Sequence, residues 1–180
     1  MKPIRLAIAG ATGRTGSAIA RLAIADKSFQ LVAAIAHAAD ERLGVDLGTF
    51  LHGEQLGVPI TADFAAECDV LVDFSQPEAT VRAARWCAEH HAALVSGTTG
   101  LSADQQAVLH EAAQQTPVVS APNMSIGVNL LLKLVADVAA RLGEDWDVEL
   151  VEAHHRHKRD APSGTAKAIL SAVCEARGVD

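Results

Sequence analysis

Three histidines (His154, His155, His157), three cations (Arg156, Lys158, Arg159) and two acids (Glu152, Asp160) crowd into one short stretch of this 180-residue sequence. Pro162-Ser163-Gly164-Thr165 follows directly. Histidine exchanges a proton near neutral pH. The start of a helix carries backbone N–H groups without internal partners and the positive end of the helix dipole. Together these types predict a site that receives an anion, such as a carboxylate, on Ser163, Gly164, Thr165 and Lys158. A proton would come from His154 or His155. The flanks predict how the cluster is held. Asp147–Ala153 alternates polar and apolar residues, the period of a half-buried strand. Thr165–Leu170 is rich in helix formers, with Ser163 as N-cap and Pro162 leading in. The cluster then forms a loop between a strand and a helix. A metal is not expected, because adjacent loop histidines rarely converge on one ion and no cysteine or spaced acid completes a tetrahedral set. A solvated charged loop without chemistry is the plain alternative.

A second constellation opens the chain. Ile4–Ala9 is a short apolar run, Gly10-Ala11-Thr12-Gly13-Arg14-Thr15-Gly16 follows, and Ser17–Ala23 reads as a helix. Strand, glycine turn and helix make the setting in which a dinucleotide pyrophosphate is bound. The spacing is G-x-x-G-x-x-G rather than G-x-G-x-x-G. The second strand, Gln30–Ala36, ends in His37 without the acid that often holds the ribose hydroxyls; Asp40 and Glu41 come later. With Arg14 nearby, this predicts that a 2′-phosphate is tolerated, so that NADPH is accepted as well as NADH.

Further elements repeat the alternation. Leu43–Pro59 reads as an irregular connection, and Asp63–Glu67 as a short helix. Val70–Ser75 is a buried parallel strand, and Pro77 opens a helix to about His90. Ala93–Ser96 is a strand running into Gly97-Thr98-Thr99-Gly100. Ser102 and Asp104 start a helix to about Gln114, and Val118–Ser120 leads to Ala121-Pro122-Asn123-Met124-Ser125. The pattern predicts an α/β fold, a Rossmann-type doubly wound parallel sheet, with ligands beyond the carboxyl ends of the strands. Ser125 is a plausible N-cap for a helix over Ile126–Leu142, with an apolar stripe of Leu131, Leu134, Val135, Val138 and Leu142 and Gly143 as C-cap. This helix is expected to begin a second domain, giving a dinucleotide-binding domain over 1–125 and a partial second domain over 126–180.

Composition narrows the class. Hydrophobic residues make up 49% and charged residues 21%, which predicts a globular chain. The net charge of −7 argues against nucleic acid as a partner. Cys68, Cys87 and Cys174 form neither a zinc pattern nor a disulfide framework. Free thiols, no signal peptide and no apolar run of membrane-spanning length predict a cytoplasmic protein without a membrane partner.

The loop Glu152-Ala153-His154-His155-x-x-Lys158-x-Asp160-Ala161-Pro162-Ser163-Gly164-Thr165-Ala166 resembles the signature of the 4-hydroxy-tetrahydrodipicolinate reductase (dihydrodipicolinate reductase) family of bacterial lysine and diaminopimelate synthesis. The stretch from Gly10 to Gly16, Asp73-Phe74-Ser75, Gly97-Thr98-Thr99-Gly100 and Asn123-Met124-Ser125-x-Gly127-Val128-Asn129 match the same family in order and spacing. The resemblance implies reduction of a small cyclic dicarboxylate: the hydroxylated substrate loses water and a nicotinamide then delivers hydride. It implies His154 as proton donor and Lys158 as a second donor. His155, Lys158, Ser163, Gly164 and Thr165 would hold the substrate carboxylates. Gly10, Ala11, Thr12, Gly13, Arg14 and Thr15 would contact NADPH or NADH, together with Gly97, Thr98, Thr99, Ala121, Pro122, Asn123 and Met124. His37 stands where the family often carries a basic or acidic residue. The second domain would be an α+β substrate-binding and oligomerisation domain, and the assembly a homotetramer where that domain is complete. Family members continue beyond the point where this sequence stops, so a C-terminal truncation is expected.

Two rivals stand beside this expectation. One is a non-catalytic dinucleotide-binding module. The other is a different amino-acid-pathway dehydrogenase, similar to aspartate-semialdehyde dehydrogenase. That chemistry needs an activated cysteine, and neither Cys68, on a strand approach, nor Cys87, in mid-helix, suits it.

Overall fold

The structure, a computed structural model, describes residues 2–64, 67–143, 145–154, 156 and 161–179. The chain divides into two compact units, Met1–Ala121 and Pro122–Asp180. Pro122–Ser125, placed with the first domain on sequence grounds, pack with the second unit.

Unit 1 is a six-stranded sheet with a helix after most strands. β1 (Ile4–Ala9) leads to α1 (Arg14–Ala25), β2 (Phe29–Ile35), a short α2 (Leu47–Phe50) and β3 (Ile60–Thr61). Then come β4 (Val70–Asp73), α3 (Pro77–His90), β5 (Ala93–Ser96), α4 (Ala103–Ala112) and β6 (Val118–Ser120). All pairings are parallel, in the order β3-β2-β1-β4-β5-β6. The chain therefore reverses its direction of travel across the sheet between β1 and β4, where open α/β sheets form their ligand crevice.

Strand alternation splits the core. From β1, Leu6 and Ile8 face one layer, packed with Ala20 and Ala23 of α1 and with Leu47, Leu51 and Ile60. Ala7 and Ala9 face the other, packed with Ala83, Ala84 and Cys87 of α3 and Leu109 and Ala112 of α4. Many of the contacts are alanines, which bring helix and sheet close. Arg5 fixes the register where β1 and β4 begin. Its N–H donates to Asp69 Oδ2 at 2.8 Å, and Nη2 and Nε donate to Oδ1 at 2.8 and 3.1 Å.

Two local expectations give way. The connection over 43–59 is not irregular throughout. Asp46 Oδ1 accepts from the N–H groups of Gly48, Thr49 and Leu56, and Oδ2 from Val58, so one side chain caps α2 and closes the loop around it. The helix expected over 63–67 does not form at Asp63, Phe64 or Glu67, and Ala65 and Ala66 lie outside the described residues.

Unit 2 contains α5 (Ile126–Leu142) and α6 (Gly164–Arg177), packed on each other. Ser125 Oγ accepts from Val128 N at 3.4 Å, as its N-cap role requires. The expected strand over 147–153 is absent. Those residues lie outside regular structure, since a strand exists only through a ladder and unit 2 has no second strand among its described residues. The stripe on α5 is only partly covered: Leu131, Leu134, Val138 and Leu142 remain exposed, while Ala139 is buried. No helix among the described residues is long and apolar enough to cross a membrane.

Candidate active site

Each unit gathers its expected residues by local rules of its own. In unit 1, β1 ends at Gly10, whose φ of 77° is open to glycine and strained for other residues. A Cβ there would lie 2.4 Å from the Phe74 carbonyl oxygen, and a Cβ on Gly16 would lie 2.1 Å from the Gly10 carbonyl oxygen. These two glycines let β1, the end of β4 and the first turn of α1 converge. Gly13 is the N-cap of α1 and brings no side chain to its first N–H groups. A bare, positively polarised helix start results, which suits a pyrophosphate.

The cleft above it is lined by Gly10, Thr12, Gly13 and His37 of the expected residues. Ala11 lies beneath, fully buried, its N–H donating to Ile35 O at 3.0 Å. Arg14 and Thr15 are exposed on the first turn of α1. Gly97 lies under the Phe74 ring, where a Cβ would meet Cε1 at 2.1 Å. Thr98 turns its hydroxyl inward to Asp73 at 2.9 Å, Thr99 is exposed, and Ala121 N donates to Ser96 O at 3.0 Å.

Sequence reasoning missed other members of this cleft: Asp40, Phe74, Ser75, Gln76 and Arg82. Asp40 is set aside by its position in the sequence, several residues past β2. A turn closed by Asp40 N donating to His37 O at 2.8 Å returns it to the cleft. There Thr12 Oγ1 donates to Oδ2 at 2.7 Å, and Arg42 grips both carboxylate oxygens, Nε on Oδ1 at 2.6 Å and Nη2 on Oδ2 at 2.9 Å. The Arg42 hydrogen bonds, then that of Thr12, hold this carboxyl well below the usual carboxylate range. Arg42 itself lies over the Phe50 ring, 5.2 Å from its centroid.

In unit 2, Ser163 caps α6 through Oγ, which accepts from Ala166 N at 3.0 Å. The Ser163 N–H is already engaged, donating to Glu152 Oε1 at 2.9 Å. The Ser163 hydroxyl keeps its own proton to donate, and the N–H groups of Gly164 and Thr165 have no acceptor among the described residues. Glu152 Oε2 meets His154 Nε2 at 2.8 Å. Contacts with Ser163 first, then His154, lower the Glu152 carboxyl to about 2. Glu152 thus ties the histidine to the start of α6. A signal was present in the sequence, because side chains two apart in an extended segment share a face. Asn123 joins the same group. Its Nδ2 donates to Thr165 Oγ1 at 3.4 Å, while its Oδ1 accepts from Ser125 N and its carbonyl from Asn129 Nδ2, both at 2.9 Å. Pro122 and Met124, flanking it, are exposed. His155 and Lys158 lie outside the described residues.

Known proteins are similar to this chain along most of its length. The family model described as dihydrodipicolinate reductase, N-terminus, matches residues 4–124, and that of the C-terminus matches residues 127–179. The chain belongs to the dihydrodipicolinate reductase family. The 4-hydroxy-tetrahydrodipicolinate reductase of Anaeromyxobacter dehalogenans is 45% identical over 97% of this chain and 66% of that protein. That of Burkholderia multivorans is 45% identical over 97% and 67%. The chain thus spans about two thirds of the length of the curated relatives it matches. A dipicolinate-bound dihydrodipicolinate reductase from Paenisporosarcina sp. TG-14 superposes with a TM-score of 0.75 at 26% identity, covering 97% of this chain and 67% of that one. The myo-inositol 2-dehydrogenase of Lactobacillus plantarum, at 20% identity and a TM-score of 0.52, shares the fold over 76% of this chain and 42% of its own.

Proposed function

We propose that the protein is an NAD(P)H-dependent 4-hydroxy-tetrahydrodipicolinate reductase of lysine and diaminopimelate synthesis. The substrate loses water, and the resulting dihydrodipicolinate takes up one hydride and one proton to give tetrahydrodipicolinate and the oxidised cofactor. The cradle of unit 1 fits a dinucleotide, because at Gly10 and Gly16 the backbone approaches so closely that a Cβ would fill the space. Gly10, Ala11, Thr12, Gly13, Arg14 and Thr15 would hold the pyrophosphate, and His37 would border the adenosine ribose. When bound, the reduced nicotinamide supplies the hydride.

The observation that carries the mechanism is the Glu152 clamp. It fixes His154 through Nε2 and, through the Ser163 N–H, sets that ring beside a helix start with open N–H groups at Gly164 and Thr165. A carboxylate of the substrate is received by those groups and by His155 and Lys158. His154 donates the proton to the carbon made electron-rich by the hydride, an effect worth about 10²–10⁴-fold in such steps. The dicarboxylate substrate class is supported by the dipicolinate in the Paenisporosarcina relative.

Both cofactors are accepted in this proposal. The acid that reaches the cleft, Asp40, is neutralised by Arg42, so a 2′-phosphate meets no free carboxylate and the ribose hydroxyls of NADH still find Thr12 and His37. A family-like homotetramer and a cytoplasmic location belong to the same proposal. They are supported by the exposed apolar face of α5 and by the buried free thiols Cys68 and Cys87.

The test is turnover of reduced cofactor on freshly prepared substrate, with His154→Ala as the comparison. Loss of kcat with retained cofactor affinity is expected. Saturable cofactor binding without turnover in the unaltered chain would replace the reductase with a binding module, and an unchanged kcat in the variant would remove His154 as proton donor.

A further inference from the structure

One buried acid adjacent to the cleft has been given no role towards a ligand. Asp73, the last residue of β4, is fully buried. Its Oδ2 accepts from Thr80 Oγ1 at 2.6 Å, Ser96 Oγ at 2.7 Å and Thr98 Oγ1 at 2.9 Å, and its Oδ1 accepts from the Ser75 hydroxyl. No cation is among these partners. A buried carboxylate is costly to desolvate even when its hydrogen bonds are made, and a neutral side chain of the same size would fill the space. The carboxylate differs from a neutral group in one respect: it only accepts. Each hydroxyl has a single proton, and Asp73 draws those protons inward.

The consequence falls on Ser75, which lines the cleft. With its proton on Asp73, its oxygen offers only lone pairs to a ligand. Thr98 is set in the same way, and its oxygen accepts the Ser75 N–H at 3.1 Å, so the loops after β4 and β5 are joined through one carboxylate. Topology says which part of a dinucleotide lies here. The pyrophosphate belongs at the start of α1 and the adenosine ribose at the end of β2, on one side of β1. The remaining half runs to the other side, over the ends of β4 and β5.

We propose that Asp73 is a positioning residue that holds the Ser75 hydroxyl as an acceptor, so that Ser75 receives a hydrogen bond from a donor on the nicotinamide-riboside half of the cofactor. This rests on the dinucleotide site proposed above. The donors that half carries are its ribose hydroxyls and its carboxamide NH₂. Ser75 is the residue in contact, and Asp73 acts through it. An asparagine in place of Asp73 would present an NH₂ to the hydroxyls around it, and some of their protons would turn outward.

The experiment measures dissociation constants of NADH and of ADP for the unaltered chain, Asp73→Asn, Ser75→Ala and the double variant. ADP shares the adenosine and both phosphates and lacks the nicotinamide riboside. Each single variant is expected to weaken NADH about tenfold and leave ADP within about twofold, the scale of one hydrogen bond. The double variant is expected to be no weaker than the worse single, since both changes remove the same contact. ADP falling in parallel with NADH, or full additivity in the double variant, would overturn the proposal. Should Asp73→Asn fail to fold, Ser75→Ala decides alone: an unchanged NADH affinity rejects the inference, and a loss confined to NADH upholds it. If the unaltered chain binds neither ligand, the dinucleotide site itself fails. Normal binding with an indifferent Ser75→Ala removes only the role of Asp73 and Ser75.

Discussion

Gly16→Ala tests the cradle most directly. The added Cβ would sit 2.1 Å from Gly10 O, 2.7 Å from Gly10 C and 3.0 Å from Ala11 Cα, all backbone atoms. Ordinary contact begins at 3.4 Å, so α1 must retreat from the turn by 3.4 − 2.1 = 1.3 Å. Alanine gains up to about 1 kcal/mol over glycine in a helix interior. Overpacking costs about 1–3 kcal/mol, and a clash with three backbone atoms belongs at the upper end, so the clash wins. The net expectation is a loss of about 1–2 kcal/mol, or a melting temperature lower by roughly 2–8 °C for a chain of this size. Gly13→Ala is the control. Its Cβ meets only Gly10 O, at 3.2 Å, and the φ of −76° suits alanine. Its cost is about 0.5–1 kcal/mol of N-cap preference. Yet both variants put a methyl group or a displaced helix at the proposed pyrophosphate site, and both should weaken NADH about tenfold or more. Thermal melting followed by circular dichroism, with a cofactor titration on the same samples, separates the two effects. A Gly16→Ala protein that melts at or above the unaltered temperature would refute the packing argument.

Three further outcomes are expected. Glu152→Gln should lower kcat, because His154 loses its carboxylate partner; equal turnover in steady-state assays would deny the clamp its role. The same variant bears on pH. The folded carboxyl lies at about 2, below its ordinary 4.5, so its contribution to stability is complete above about 4.5 and is lost as the pH falls towards 2. Glu152→Gln should flatten that part of a denaturation-versus-pH curve, and parallel curves would argue otherwise. Burial pushes the Cys87 thiol up to about 12 and the Cys68 thiol to about 11. A thiol reagent on the native chain should therefore label Cys174 first and leave turnover intact; inactivation tracking modification of Cys87 would revive a cysteine mechanism.

How far the sequence could be read depended on the range of the interactions. Ser102, Ser125 and Ser163 were legible as caps because capping acts within three residues, and each side chain accepts from the N–H three positions on. The strands of unit 1 were legible because burial on both faces leaves continuous apolar runs. No strand forms over 147–153 although its alternation is real, because pairing is supplied by another strand and not by the pattern. Asp46 folds its own loop through four N–H groups as far as Val58, a long-range role that no period announces. Asp40 lies past the end of β2 in sequence, and a single turn returns it to Thr12. For Asp73 the residue type was plain in the sequence, and what stayed hidden was its convergence with hydroxyls from α3, β5 and the loop beyond.

The central place of β1 has a bearing on how the protein comes into being. A ribosome delivers β1 first, but its two edges are completed at different times. β2 is available once Ile35 has emerged, whereas β4 is complete only at Asp73. In the interval the nascent chain carries a strand with one open edge, the form most prone to pairing with another chain. Arg5 waits through the same interval for Asp69, so that ion pair marks the moment when the sheet closes over β1. Contacts across 64 residues of sequence add to the non-local pairing that slows folding. The ligand crevice can exist only once β4 has paired with β1, because the residues just beyond Asp73 line it.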